Sequence, residues 1–267
     1  MAARLFFAQT VWQMAGLATR VVGGRLWWLA AILSGTVPLL LGWQLGTSVH
    51  QFVSALLLFF MLLAAARMGN ASRGIGAMAL GFASHCALGI LLSFSDSVGA
   101  AECMPDGRGY WLAQVAWITS GTDPEYDWAN WLPAHLHLGV GIAVLCVGSL
   151  GLFALVEGFY EVDLMNYYVG QLLANSSEPI GSLLLGWHPW SVMRGFCYVL
   201  LVYEIAAWAL GRFSQRRLPQ APSGFGGLSA RSLRLVGAAC FFLADCTVKY
   251  FALDFVRSGL AERLVQG

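Results

Sequence analysis

The feature that most limits this chain is the length of its uncharged apolar runs. Five segments, 27–45, 51–66, 74–94, 134–156 and 192–210, carry almost no charge. A helix rises 1.5 Å per residue, so about 20 residues cover the roughly 30 Å hydrocarbon core of a bilayer. These runs reach or approach that length. A sixth, 232–253, matches in length but carries Arg234, Asp245 and Lys249. None of the six shows the period-two alternation of a barrel strand, and lipid tolerates only helices or closed barrels. The expected fold is therefore all-α: a polytopic integral membrane bundle of six or seven transmembrane helices, one of them discontinuous.

Composition agrees. Of 267 residues, 58% are hydrophobic and 11% charged, whereas a soluble domain carries about 25% charged residues. So few charges cannot coat a water-soluble body of this size. The net charge of +1 gives no footprint for nucleic acid. The six cysteines form no CxxC pair, which excludes a zinc knuckle and a disulfide framework read from spacing. There is no GxSxG, P-loop, GxGxxG before a strand, or HExxH, so the common enzyme signatures are missing.

Charge asymmetry orients the chain. Residues 1–26 hold Arg4, Arg20 and Arg25 without an acid, and Phe7, Val11, Met14 and Ala18 recur at helical spacing. This reads as an amphipathic juxtamembrane helix. Loop 67–73 holds Arg67 and Arg73, and segment 211–231 holds Arg212, Arg216, Arg217 and Arg231. Loop 95–133 is acidic and aromatic, with Asp96, Glu102, Asp106, Asp123, Glu125 and Asp127 against Arg108. The positive-inside rule puts the N-terminus, 67–73 and 211–231 in the cytoplasm and 95–133 outside, in what we read as a bacterial plasma membrane.

Six simple spans do not satisfy that orientation. After three spans over 27–94 and the outer loop, the region 134–210 needs one more crossing to return 211–231 to the cytoplasm. Segment 164–190 is the candidate, read as a broken or re-entrant span. Asn175-Ser176-Ser177-Glu178 would interrupt it between half-helices 164–174 and 179–190, with Pro179 in the first turn of the second. The remainder, 232–267, is the last span and a C-terminal tail.

Chemistry is sparse. Charges within lipid are costly and mark candidate functional sites. Glu204, Asp245 and Lys249 lie inside spans, with Asp245 and Lys249 at i, i+4, and Arg194 could answer Glu178 across the broken span. These five support a transporter or permease. His85, His135 and His137 could hold haem or a metal, although His135 and His137, about 200° apart on a helix, cannot both face one ion. His50 falls at the mouth of the second span. The leading expectation is a non-enzymatic subunit, scaffold or assembly component with no resident cofactor. Its partners would be the lipid bilayer and other membrane subunits, or a second copy packed through the small-residue faces of 74–89 and 134–158. A transporter and a haem- or metal-binding redox enzyme are the alternatives.

Overall fold

The computed structural model describes Gln13 and residues 24–121, 128–213 and 229–264. The amphipathic helix read over 1–26 and most of the Arg-rich segment 211–231 lie outside the described residues.

Ten helices account for nearly all of the described chain. They are α1 (Arg25–Leu45), α2 (Val49–Arg67), α3 (Ala71–Ser95), α4 (Ser97–Cys103), α5 (Gly107–Ser120), α6 (Trp128–Ser149), α7 (Leu152–Ala174), α8 (Pro179–Gly186), α9 (Pro189–Phe213) and α10 (Ala230–Ala261). Six of them, α1, α2, α3, α6, α9 and α10, are long and apolar enough to cross a membrane. Among the described residues the only β-type pairing is a single bridge between Ser176 and Leu264.

The main core lies where α1, α2, α3, α7 and α9 meet. Trp27, Leu58, Leu62, Met78, Leu155, Phe159 and Val202 are buried together there. α3 and α7 run parallel. Phe82 meets Phe159, His85 meets Asp163, and Gly89 and Ser93 meet Asn166 and Gly170 in turn. α9 and α10 run antiparallel, Glu204 opposite Arg234 and Arg194 opposite Asp245.

These contacts sort the helix ends into two groups. One end gathers the Trp27 indole, which donates to the Arg73 carbonyl, with Gly74 against Tyr203 and Gly151 against Val202 and Ala206. The other gathers α4, α5, α8 and the end of α10. There Ser177 N–H donates to the Arg263 carbonyl, and Asp96 accepts from both the Gly99 amide and the Trp43 indole.

The fourth long run breaks earlier than its hydropathy suggests. The apolar stretch 134–156 reads as one span, but α6 ends at Ser149 and α7 begins at Leu152. Leu150 and Gly151 both take left-handed backbone, φ 57° and 102°, a conformation glycine adopts freely. The Ser149 hydroxyl then accepts the Phe153 amide of the new helix. Apolarity continues across the turn because Leu150 is buried in the core, so hydropathy alone cannot see it. As a result, 164–174 is no half-helix but the second half of a 23-residue α7. The chain does break at 175–178, with Pro179 opening α8. However, α8 stops at Gly186 and α9 starts at Pro189, short of the half-helix 179–190.

The two small-residue faces meet in part: Gly158, which falls in α7, packs on Phe82 of α3. α3 uses its glycines against α1, α2, α7 and α9, whereas Gly139, Gly141 and Gly148 of α6 meet open space. Segment 95–133 is also more deeply built in than its polar composition implies. Trp117 and Ile118 of α5 are buried against Tyr168, Val169 and Leu172. Cys103, which the sequence places in a polar loop, is buried in α4. Burial pushes its thiol up to about 12, so it stays protonated at neutral pH.

Candidate metal centre

The close approach of α1 and α3 sets the site. A Cβ on Gly35 would land on the Gly81 carbonyl oxygen, so only glycine lets the two backbones touch here. This contact brings the Gly35 carbonyl within 2.9 Å of His85 Nδ1. α2 begins next to the end of α1, which puts His50 in its first turn with Nδ1 3.2 Å from the Thr47 carbonyl. α7 runs alongside and carries Asp163 to the level of both rings.

The result is a three-residue cluster in which every member is buried. Asp163 Oδ1 is 2.7 Å from His85 Nε2, and Oδ2 is 2.8 Å from His50 Nε2. The Gln51 amide donates to Oδ2 at 2.8 Å. The two imidazoles stack with centroids 5.7 Å apart, and Phe159 meets His85 edge-on. α4 packs on α1, α3 and α7 at the near end, with Ala100, Cys103 and Met104 against Leu39, Leu92 and Tyr167.

Hydrogen-bond roles decide what the cluster can do. A carbonyl oxygen only accepts, so each Nδ1 carries a hydrogen. A neutral ring of that tautomer presents a bare lone pair at Nε2. Both lone pairs point at an oxygen of the Asp163 carboxylate, which is also an acceptor. Such an arrangement holds together only with positive charge between the groups, supplied by protons on the rings or by a metal ion. The donor atoms lie within 4.8 Å of one another, and the buried His50–His85–Asp163 group could hold a metal. Imidazoles whose second nitrogen donates to a backbone carbonyl, and a carboxylate steadied by an amide, are the supports that metal ligands ordinarily have.

The ionisable residues singled out in the sequence go elsewhere. Asp245, read beside Lys249 from the i, i+4 spacing, is held by Arg194 through two hydrogen bonds, 3.0 and 3.1 Å. Lys249 Nζ lies 5.0 Å from the centre of the Trp131 ring. Glu204 is engaged by Arg234, and by Arg231 at 3.4 Å. Glu178 pairs with Arg263 at 2.9 Å and not with Arg194. Of the three candidate histidines only His85 joins the centre. His135 packs on Trp131 and His137 is exposed. The two partners of His85, His50 and Asp163, are the residues that sequence reasoning left out.

The Arg194–Asp245 pair makes a direct test. Asp245 is fully buried, and removing one partner of such a pair costs about 3–5 kcal/mol because the other charge is stranded. Arg194→Met is expected to lower the thermal midpoint in detergent sharply. Arg194→Met with Asp245→Leu is expected to recover most of the loss. Equal midpoints for Arg194→Met and the parent would contradict the pairing.

No family model, no curated protein and no solved structure matches this chain.

Proposed function

We propose that this is a multi-pass integral membrane protein whose helix bundle encloses a divalent-metal site formed by His50, His85 and Asp163. Seven helices cross: α1, α2, α3, α6, α7, α9 and α10. α7 supplies the seventh crossing that the charge pattern requires, because its 23 residues span about 34 Å. The six other spans, and large apolar side chains turned outward such as Leu41, Val140, Phe153, Leu243 and Phe255, support a lipid surround. With seven crossings, the end bearing Arg25, Arg67, Arg73, Arg212 and Arg231 faces the cytoplasm. The end bearing Asp96, Glu102, Asp106 and Glu178 faces out, as does the C-terminus.

One observation carries the metal reading: both Nδ1 atoms are tied to backbone carbonyls, so both Nε2 lone pairs and one carboxylate converge. Two imidazoles and a carboxylate suit zinc or ferrous iron, and three protein ligands leave positions open for an exchangeable ligand. That favours chemistry at the metal over a purely structural ion. The ion pairs at Glu204 and Asp245 support a lesser role for those residues, since each carboxylate already has arginine partners.

A second reading, a subunit or self-associating component, is favoured by α6. It is the least buried of the six apolar spans, and its glycines face open space. It is compatible with the first.

Elemental analysis of protein purified from membranes tests the proposal. About one divalent ion per chain is expected, and a folded, metal-free preparation would overturn it. Reporter fusions at Gln220 and at the C-terminus test the crossings. Gln220 is expected inside and the C-terminus outside; the reverse would reject the seven-crossing scheme.

A further inference from the structure

The layer next to the cluster holds a side chain that the packing leaves unanswered. Asn166 is fully buried, yet neither its Oδ1 nor its Nδ2 has a hydrogen-bond partner among the described residues. A buried amide left without partners forfeits the hydrogen bonds it had to water. Elsewhere on α7 the Tyr167 hydroxyl donates to the Ser97 carbonyl and the Gln171 amide to the Ser93 carbonyl, whereas the Tyr168 hydroxyl, about 200° round the helix from Asn166, is also buried without a partner.

Its position explains what it could serve. Asn166 lies three residues beyond Asp163 and Gly89 four beyond His85, so each shares a helix face with a ligand. Because α3 and α7 are parallel, Asn166 over Gly89 is the next rung above Asp163 and His85. A Cβ on Gly89 would come within 2.5 Å of Asn166 Nδ2, so the glycine makes the room in which the amide rests. On α2, Ser54 is four residues from His50, and its hydroxyl is likewise buried without a partner.

Resting on the metal reading above, we propose that Asn166 binds the exchangeable ligand of the His50–His85–Asp163 centre, a water-derived or other small oxygen donor. A primary amide offers both a donor and an acceptor, which suits a metal-bound water and the hydroxide it becomes. With a metal held there, Nδ2 would donate to its oxygen ligand, and the metal would supply the Lewis acidity that lowers that ligand's ionisation constant toward neutral pH.

The experiment uses the full chain in detergent, loaded with Co²⁺, whose visible bands report coordination and the ionisation of bound water. Asn166→Leu is expected to keep one equivalent of Co²⁺ but to raise the midpoint of the spectral pH titration by about one unit, a tenfold change in the ionisation constant. Asn166→Asp, nearly isosteric, is expected to raise it further by adding charge against hydroxide. Gly89→Ala, which displaces the amide without removing it, is expected to raise it as well. If the leucine variant does not fold, the other two decide. Retained Co²⁺ with a titration unchanged from the parent in the folded variants removes Asn166 from the site while leaving the metal reading intact. A parent protein that takes up no Co²⁺ removes both.

Discussion

Asp163→Asn empties the centre. Asparagine keeps the shape and still accepts from Gln51, so the bundle is expected to fold. The substitution removes the one anionic ligand, however, and turns an amide toward imidazole lone pairs with at most one donor group to share. Loss of a supporting residue around a metal ligand already costs about 10–100-fold in affinity, and loss of the charged ligand itself is expected to exceed that. Metal content after dialysis should fall from about one ion per chain to near none. The thermal midpoint should fall too, because the parent gains stability from any ion that binds only its folded form. An asparagine variant that keeps one tightly bound ion would show that Asp163 is not a ligand.

Gly35→Ala is expected to be as damaging, although the added methyl would not itself meet a ligand side chain. The new methyl meets the Gly81 carbonyl oxygen, and backbone cannot swing aside as a side chain can. α1 must move away from α3. Overpacking of this kind costs about 1–3 kcal/mol, occasionally more, and here the upper end applies. The displacement also carries off the Gly35 carbonyl that fixes the His85 ring. Metal affinity is therefore expected to drop about 10–100-fold together with stability. Alanine at Gly139 of α6, which meets open space, is the matched control and should leave both unchanged. Equal behaviour of the two variants in melting and metal content would contradict the close α1–α3 contact.

The helical class and the places of six apolar helices were legible because long apolar runs have few other uses. So was the break at 175–178, from a polar knot followed by proline. The centre was not legible, for two local reasons. His50 stands at the start of a short run, where a histidine reads as interfacial; it is buried because it packs on Gly42 of α1, His85 of α3 and Asp163 of α7. Asp163 lies between Glu161 and Asn166, in a stretch too polar to read as the middle of a crossing. The turn at Leu150–Gly151 alters this by giving α7 its true start. From there Glu157 and Glu161 fall on one face, while Phe159, Asp163 and Asn166 fall on another that is buried. The Gly148-Ser149-Leu150-Gly151 sequence was the available signal, masked by the apolar residues around it.

The ion pairs were missed by a different route. Glu204 and Asp245 can be placed along their spans by counting residues. What counting does not give is which arginine stands across from each. Arg194 and Arg234 are set by the antiparallel register of α9 and α10, which depends on side-chain packing such as Phe196 on Phe241.

X-ray absorption at the edge of whichever metal co-purifies tests the central claim most directly, since it reads the ligands themselves. The account expects a shell of nitrogen and oxygen at about 2.0–2.2 Å with the outer-shell scattering of two imidazole rings, reduced to one ring by His50→Ala or His85→Ala. A shell dominated by sulfur at about 2.3 Å, or a spectrum indifferent to both histidine replacements, would contradict it.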